Sequence, residues 1–167
     1  GTSDEPLTVS QSLPNIDGMV IVTTPQAVAL LDSRKSITFA ESLKVPVLGV
    51  VENMSGYTIS GVTAANVSVE IAGPGGKTIK STSDEDGNFS VTLDIFKKGG
   101  GKSTAEDFGV PFLGALPFDP GFVRGGDDGV HKIVSDPEGA SSIAFSEIVK
   151  AVLAQISDKP SSSLEII

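Results

Sequence analysis

The sequence predicts an α/β fold: a partial P-loop-NTPase-like parallel sheet of about three strands, flanked by helices, with an antiparallel β-meander set into it. Three observations carry this. First, "DGMVIVTT" (17–24), "VPVLGVV" (45–51) and "VPFLGALPFDP" (110–120) contain short, nearly continuous apolar runs, as strands buried on both faces do. Second, a helical pattern separates the first two runs, so they form a βαβ unit with a parallel pair and a right-handed crossover. Third, residues 57–93 switch to alternation broken by turn residues, the signature of antiparallel strands.

Taken in order, the helix over 25–44 opens on Pro25, which suits a first helical position. Its residues Ala27, Leu30, Leu31, Ile37, Ala40 and Leu43 form an apolar stripe. Within 57–93, Val67, Val69 and Ile71 fall on one side of a strand, and "GPGG" (73–76) and "DEDGN" (84–88) are turns. "STAEDFG" (103–109) reads as a short helix with Ser103 and Glu106 as a capping box and Gly109 as its stop. "GFVRGGDDGVH" (121–131) reads as a glycine-rich, acidic loop. "PEGASSIAFSEIVKAVLAQI" (137–156) reads as a long amphipathic helix with Phe145, Val149, Val152 and Ile156 on its stripe. The resulting division is an α/β half-domain in two parts, 1–56 and 94–156, a β-rich insert at 57–93, and a flexible tail at 157–167.

The totals bound the chemistry. The 167 residues suffice for one domain with a core. A net charge of −9 argues against sequence-independent nucleic-acid binding, which needs clustered Lys and Arg. No uninterrupted apolar run reaches the ~18 residues of a bilayer span, and no basic-then-apolar leader is visible, so the expected setting is cytoplasmic and away from membranes. There is no cysteine, so this chain forms no disulfide, no thiolate metal site and no thiolate-held iron–sulfur cluster. His131 is the single histidine. Asp127, Asp128 and His131 are therefore read as a solvated loop, and Asp84, Glu85 and Asp86 as a β-turn, because the spaced ligands of a calcium loop are missing.

"KKGGGKST" (97–104) invites a phosphate-loop reading. A phosphate loop has the pattern G-x-x-x-x-G-K-[ST] between a strand and a helix, with backbone N–H groups around the phosphates. Gly101, Lys102 and Ser103 supply the second half of the pattern, but Phe96 stands where its first glycine belongs. The preceding strand, "FSVTL", also belongs to the alternating region rather than to a βαβ unit.

A family resemblance comes from other stretches. "GTSDEPLTVSQSLP" (1–14), "VIVTTPQAVALLDSRKSI" (20–37), "PVLGVVENMSG" (46–56), "DIFKKGGGKSTAEDFGVPFLGALPFDP" (94–120) and "VRGGDDGVH" (123–131) resemble, in order, the C-terminal half of Mrp/ApbC-type proteins. These are P-loop ATPases that carry iron–sulfur clusters. The resemblance implies that the true phosphate loop lies on an earlier strand and that "FKKGGGK" is a different glycine-rich segment. Relatives also carry a C-x-x-C pair after "ENMSG"; here the β-rich stretch stands in its place. Through "DEDGNFSV" that stretch weakly resembles carboxypeptidase-regulatory or transthyretin-like domains.

By resemblance, Asn53 would contact adenine, Pro117, Phe118 and Asp119 would line the base pocket, and Asp4 would lie on the Mg²⁺ side. ATP and Mg²⁺ are thus the implied ligands, with no iron–sulfur cluster on this chain. The expected function is that of a fragment or chimera resembling a cluster-carrier ATPase, without ATPase or cluster-binding activity of its own. One alternative is residual ATP binding through Gly101, Lys102 and Ser103. Another is a non-enzymatic binding module acting through the β-rich stretch. A parallel sheet of about three strands leaves an open edge and apolar surface, so self-association is expected.

Overall fold

The structure is a computed structural model that describes residues 4–13 and 15–157, with the side chains of Asp4 and Glu5 outside the description. A helix that the pattern did not announce, α1 (Asp4–Ser12), comes first. It tolerates Pro6 because a first-turn N–H has no intrahelical partner to lose. Then β1 (Met19–Thr23), α2 (Ala27–Ser42) and β2 (Val47–Glu52) form the expected βαβ unit. β1 and β2 run parallel, with Ile21 opposite Val50 and Thr23 opposite Glu52.

The chain next builds β3 (Tyr57–Val62), β4 (Ser68–Ala72), β5 (Thr78–Thr82) and β6 (Asn88–Leu93). All are antiparallel, as the alternation indicates, but their order is nested rather than that of a meander. β3 pairs with β6, from Tyr57↔Leu93 to Val62↔Asn88, and β4 pairs with β5 between them. The two ribbons touch through β5 and β6, where the Ser81 hydroxyl donates to the Ser90 carbonyl at 3.2 Å. Ser83, 2% exposed, fastens the inner hairpin: its Oγ donates to the Ala64 carbonyl at 2.6 Å and accepts the Val67 N–H at 3.0 Å. In the "DEDGN" turn the Asp84 carboxylate accepts the Asn88 and Asp86 amides, and the Asn88 bond in particular holds its pKa below the ordinary value.

The chain then returns to the parallel sheet through α3 (Gly100–Phe108) and β7 (Phe112–Ala115). The sheet order is β1-β2-β7, with β7 parallel to β2. Beyond it lie α4 (Pro120–Asp128), α5 (Lys132–Ser135) and α6 (Ala140–Ser157). The expected loop at 121–131 is thus largely helix α4. Asp119 caps it, Pro120 opens it and Gly129 closes it in the left-handed conformation. The expected capping box at Ser103 is also absent. α3 starts earlier, at Gly100, and the Ser103 N–H bonds the Gly99 carbonyl at 3.0 Å. Gly109 is the stop, as its spacing indicates, at φ 63°.

Each face of the sheet has its own core. On one, Ile21, Ile37, Val50 and Ala105 pack with α2 and α3. On the other, Val51 and Leu113 pack against Ile148 of α6. Of the expected α6 stripe, Phe145, Val152 and Ile156 are half-buried, and Val149 is the one that points out. Ile148, with Ala151 and Val152, meets the sheet, while Val149 is 42% exposed. α6 is also long and apolar enough, by length and composition alone, to cross a bilayer. Its Glu147 and Lys150 pair with each other on an exposed side. α6 covers β2 and β7 but not β1, whose Val20 and Val22 are 37% and 60% exposed. Of the flexible tail expected at 157–167, Ser157 is the last residue of α6, and 158–167 lie outside the described residues.

Candidate functional site

In an open α/β sheet, ligands sit outside the carboxyl ends of the parallel strands. Here those ends are Thr23, Glu52 and Ala115. The backbone stays paired just past them. The Asn53 N–H donates to Thr23 O at 2.7 Å, Ser55 N–H to Leu116 O at 2.9 Å, and Phe118 N–H to Gly56 O at 2.8 Å. The Tyr57 ring meets Phe118 edge-on at 5.9 Å. This pairing brings Asn53, Pro117 and Phe118 to one edge. The Asn53 Oδ1 accepts the Met54 N–H at 2.8 Å. Asn53 also lines two cavities beside β1: a polar one of about 260 Å³ with Thr23, Thr24, Asp32 and Ser33, and an apolar one of about 390 Å³ with Val22, Leu116, Ile148 and Leu153.

The glycine-rich segment reaches the same edge, and an anion already fills it. The buried Glu52 carboxylate, on a residue 1% exposed, accepts the Gly101 N–H at 2.7 Å through Oε2. Through Oε1 it accepts the Gly99 N–H at 3.1 Å and the Ser55 hydroxyl at 2.6 Å. The start of a helix offers unpaired N–H groups and the positive end of its dipole, which suits a carboxylate as it would a phosphate. Gly101 must be glycine for this. A Cβ there would lie 2.9 Å from the Glu52 Cβ. Lys102 and Ser103 are exposed and make none of these contacts.

Asp119 turns away from this edge. Its Oδ1 accepts the Gly121 N–H at 2.7 Å, capping α4, and its Oδ2 accepts the Ser141 hydroxyl at 2.7 Å. Lys132 Nζ stands 3.9 Å away and pairs also with Asp136, whose hydrogen bond is the main reason its pKa is raised. Burial is the strongest single influence on Asp119 and opposes its charge. The Ser141 and Gly121 hydrogen bonds, with Lys132 and Arg124, outweigh it and hold the pKa below the ordinary carboxylate value. Asp119 therefore ties α4, α5 and α6 together. The side chain of Asp4 lies outside the described residues. Among the described residues, no group of three or more His, Asp and Glu side chains is placed to hold a metal ion.

The model of the ParA family, NUBPL iron-transfer P-loop NTPases, matches residues 1–85 and 82–153. The chain belongs to that family. An iron-sulfur cluster carrier protein of Methanocaldococcus jannaschii is 34% identical over 95% of this chain and 45% of its own length. A cytosolic Fe-S cluster assembly factor NUBP2 homolog of Trichoplax adhaerens is 37% identical over 92% of the chain and 48% of its own length. The chain thus spans about half the length of these curated iron-transfer relatives. Among solved structures, a nucleotide-binding protein of Archaeoglobus fulgidus in complex with ADP superposes with a TM-score of 0.51. It is 28% identical, over 87% of this chain and 46% of that one. The cell division ATPase MinD of Pyrococcus furiosus also superposes at 0.51, with 19% identity over 83% of this chain and 43% of its own, which establishes the shared fold.

The donor set at this edge is polar and uncharged apart from Glu52 and Asp32. Asn53 and Thr24 offer polar groups at the strand ends. The glycine-loop amides, which could meet phosphate, are bonded to Glu52. Thiolates are lacking altogether. The residue that sequence reasoning passed over is Glu52. Its signal was an acid closing an otherwise apolar strand, and its partners lie 47 and 49 residues downstream.

Proposed function

We propose that this chain supplies one flank of the nucleotide site of an iron–sulfur cluster carrier, and that on its own it neither hydrolyses ATP nor carries a cluster. The occupied glycine loop carries the reading, because a phosphate arriving there would have to displace a buried carboxylate from two N–H groups and a hydroxyl. Asn53 and the Pro117–Phe118 turn remain as the base side of the site. The Archaeoglobus relative was captured with ADP, which supports an adenine nucleotide as the ligand. Clustered positive charge for the phosphates and thiolates for a cluster would come from elsewhere in the assembly. The cytosol is the proposed setting, from the naming of the Trichoplax relative.

The test is a calorimetric titration of the chain with Mg-ATP beside its Lys102→Ala variant. The expected result is weak or no heat, equal in the two proteins. Binding that the substitution abolishes would overturn the proposal and make Gly101, Lys102 and Ser103 the phosphate contacts.

We also propose that the chain self-associates through β1. It is an outer strand of the sheet, and "MVIVT" carries no Lys or Pro to guard the edge. A single-chain mass by light scattering at high concentration would refute this. A further reading, partner binding through residues 57–93, is favoured by the two-stranded ribbons there and would be refuted if deleting them left partner capture intact.

A further inference from the structure

The β-rich segment leaves the sheet at residue 56 and returns at 94, and one side chain bonds to both crossings; the Ser55–Leu116 and Phe118–Gly56 backbone bonds hold the outgoing one as well. Glu52 Oε1 takes the Ser55 hydroxyl on the outgoing chain and the Gly99 N–H on the returning chain, and its Oε2 takes the Gly101 N–H. The backbone on either side is held in uncommon conformations. Met54 (φ 56°) and Lys97 (φ 72°) are non-glycine residues in the left-handed region, next to Gly56 (φ 85°) and Gly99 (φ 84°). Such residues persist only where their surroundings hold them, and they gather at sites that move or bind. No cation pairs with Glu52 among the described residues; its bonds run to two amides and a hydroxyl.

We infer that Glu52 is a latch: its carboxylate fixes the returning chain, and with it the orientation of segment 57–93, against the carboxyl edge of the sheet, and its release frees that segment to swing about the outgoing crossing, where the Ser55–Leu116 and Gly56–Phe118 bonds remain. Each ribbon keeps its own cross-strand pairing and the Ser81–Ser90 hydrogen bond joins the two, so the segment moves as a body. This rests on the geometry of the neck and not on nucleotide binding. Glu52 is accordingly a positioning residue.

Amide exchange and residual dipolar couplings on the described chain test it. In the unaltered protein, the Gly101 amide exchanges at least ten-fold more slowly than that of Gly100, although both open the same helix. One alignment tensor fits both the β1-β2-β7 sheet and the β3–β6 ribbon. In Glu52→Gln an amide NH₂ faces the loop in place of one oxygen. Exchange at Gly99 and Gly101 then rises at least ten-fold, and the couplings require two tensors. A Gly101 amide as fast as Gly100 in the unaltered protein would overturn the latch without any variant. So would a single tensor in a folded Glu52→Gln protein. Exchange that rises equally in β1 and β2 would show loss of global stability in place of a latch, and would also overturn it.

Discussion

Asp119 gives a sharp test of structure against resemblance, because the two assign it different roles. Replacing it with Ala removes the cap of α4, strips the Ser141 hydroxyl of its acceptor and leaves Lys132 with Asp136 alone. Loss of an N-cap aspartate costs about 1 kcal/mol. Orphaning the hydroxyl of Ser141, a residue 7% exposed, costs about 1 kcal/mol more. The 3.9 Å contact with Lys132 contributes a few tenths of a kcal/mol, since its partner Asp136 remains. Asp119→Ala should therefore destabilise the chain by about 2–3 kcal/mol. Asp119→Asn, which still caps and can accept from or donate to Ser141, should cost under about 1 kcal/mol. Urea unfolding followed by circular dichroism measures both, with the midpoint falling at constant slope. Equal costs for the two variants, or a cost for Ala below about 0.5 kcal/mol, would refute the reasoning. The pH dependence has a definite sign. The folded-state pKa of Asp119 is lowered, so its contribution is complete above the ordinary carboxylate value of 3.8 and disappears as pH falls through the folded value. Asp119→Asn should flatten the acid limb of the stability profile.

Two other outcomes follow. Gly87 sits at φ 81° in the turn before β6, where a Cβ would fall 2.1 Å from the Thr63 carbonyl oxygen. Gly87→Ala should cost at least about 2 kcal/mol and strip amide protection from β3 and β6 while β1 and β2 keep theirs. Val22, 60% exposed on the uncovered side of β1, should accept Lys with a stability change within about 0.5 kcal/mol. The same substitution should lower the mass that light scattering records if β1 is the associating edge.

The sheet was legible in the sequence because its strands are local apolar runs and the βαβ rule makes the first two parallel, although the place of β7 beside β2 was not specified. The start of α3 was not. Its cap is Glu52, which lies far back along the chain, so the local Ser103–Glu106 pattern offered a box that tertiary contact overrode. α4 was readable in principle from Asp119 followed by Pro120, a cap and a first-turn proline, but the glycines at 121, 125 and 126 hid it behind loop composition. The α6 stripe was read at Phe145, Val152 and Ile156 but missed the buried Ser141 and Ser142, because hydrophobic periodicity cannot count small polar residues as core. The nested order of β3 to β6 depends on pairings that alternation alone does not specify. At the site, Asn53, Pro117 and Phe118 do share an edge, whereas Asp119 faces Ser141 and Lys132.

The pairing of Tyr57 with Leu93 has an architectural consequence. Opposed residues of an antiparallel ladder stand only about 5 Å apart, so the chain departs from and rejoins the sheet at nearly one point. A module whose two termini lie side by side can be exchanged there without stretching the host, which is the geometric condition for tolerated domain insertion. The parallel sheet closes beneath it through β2 and β7, whatever stands on the stem. The position between Gly56 and Asp94 has in that sense the geometry of a socket, and replacing what occupies it should leave the core of the α/β body folded.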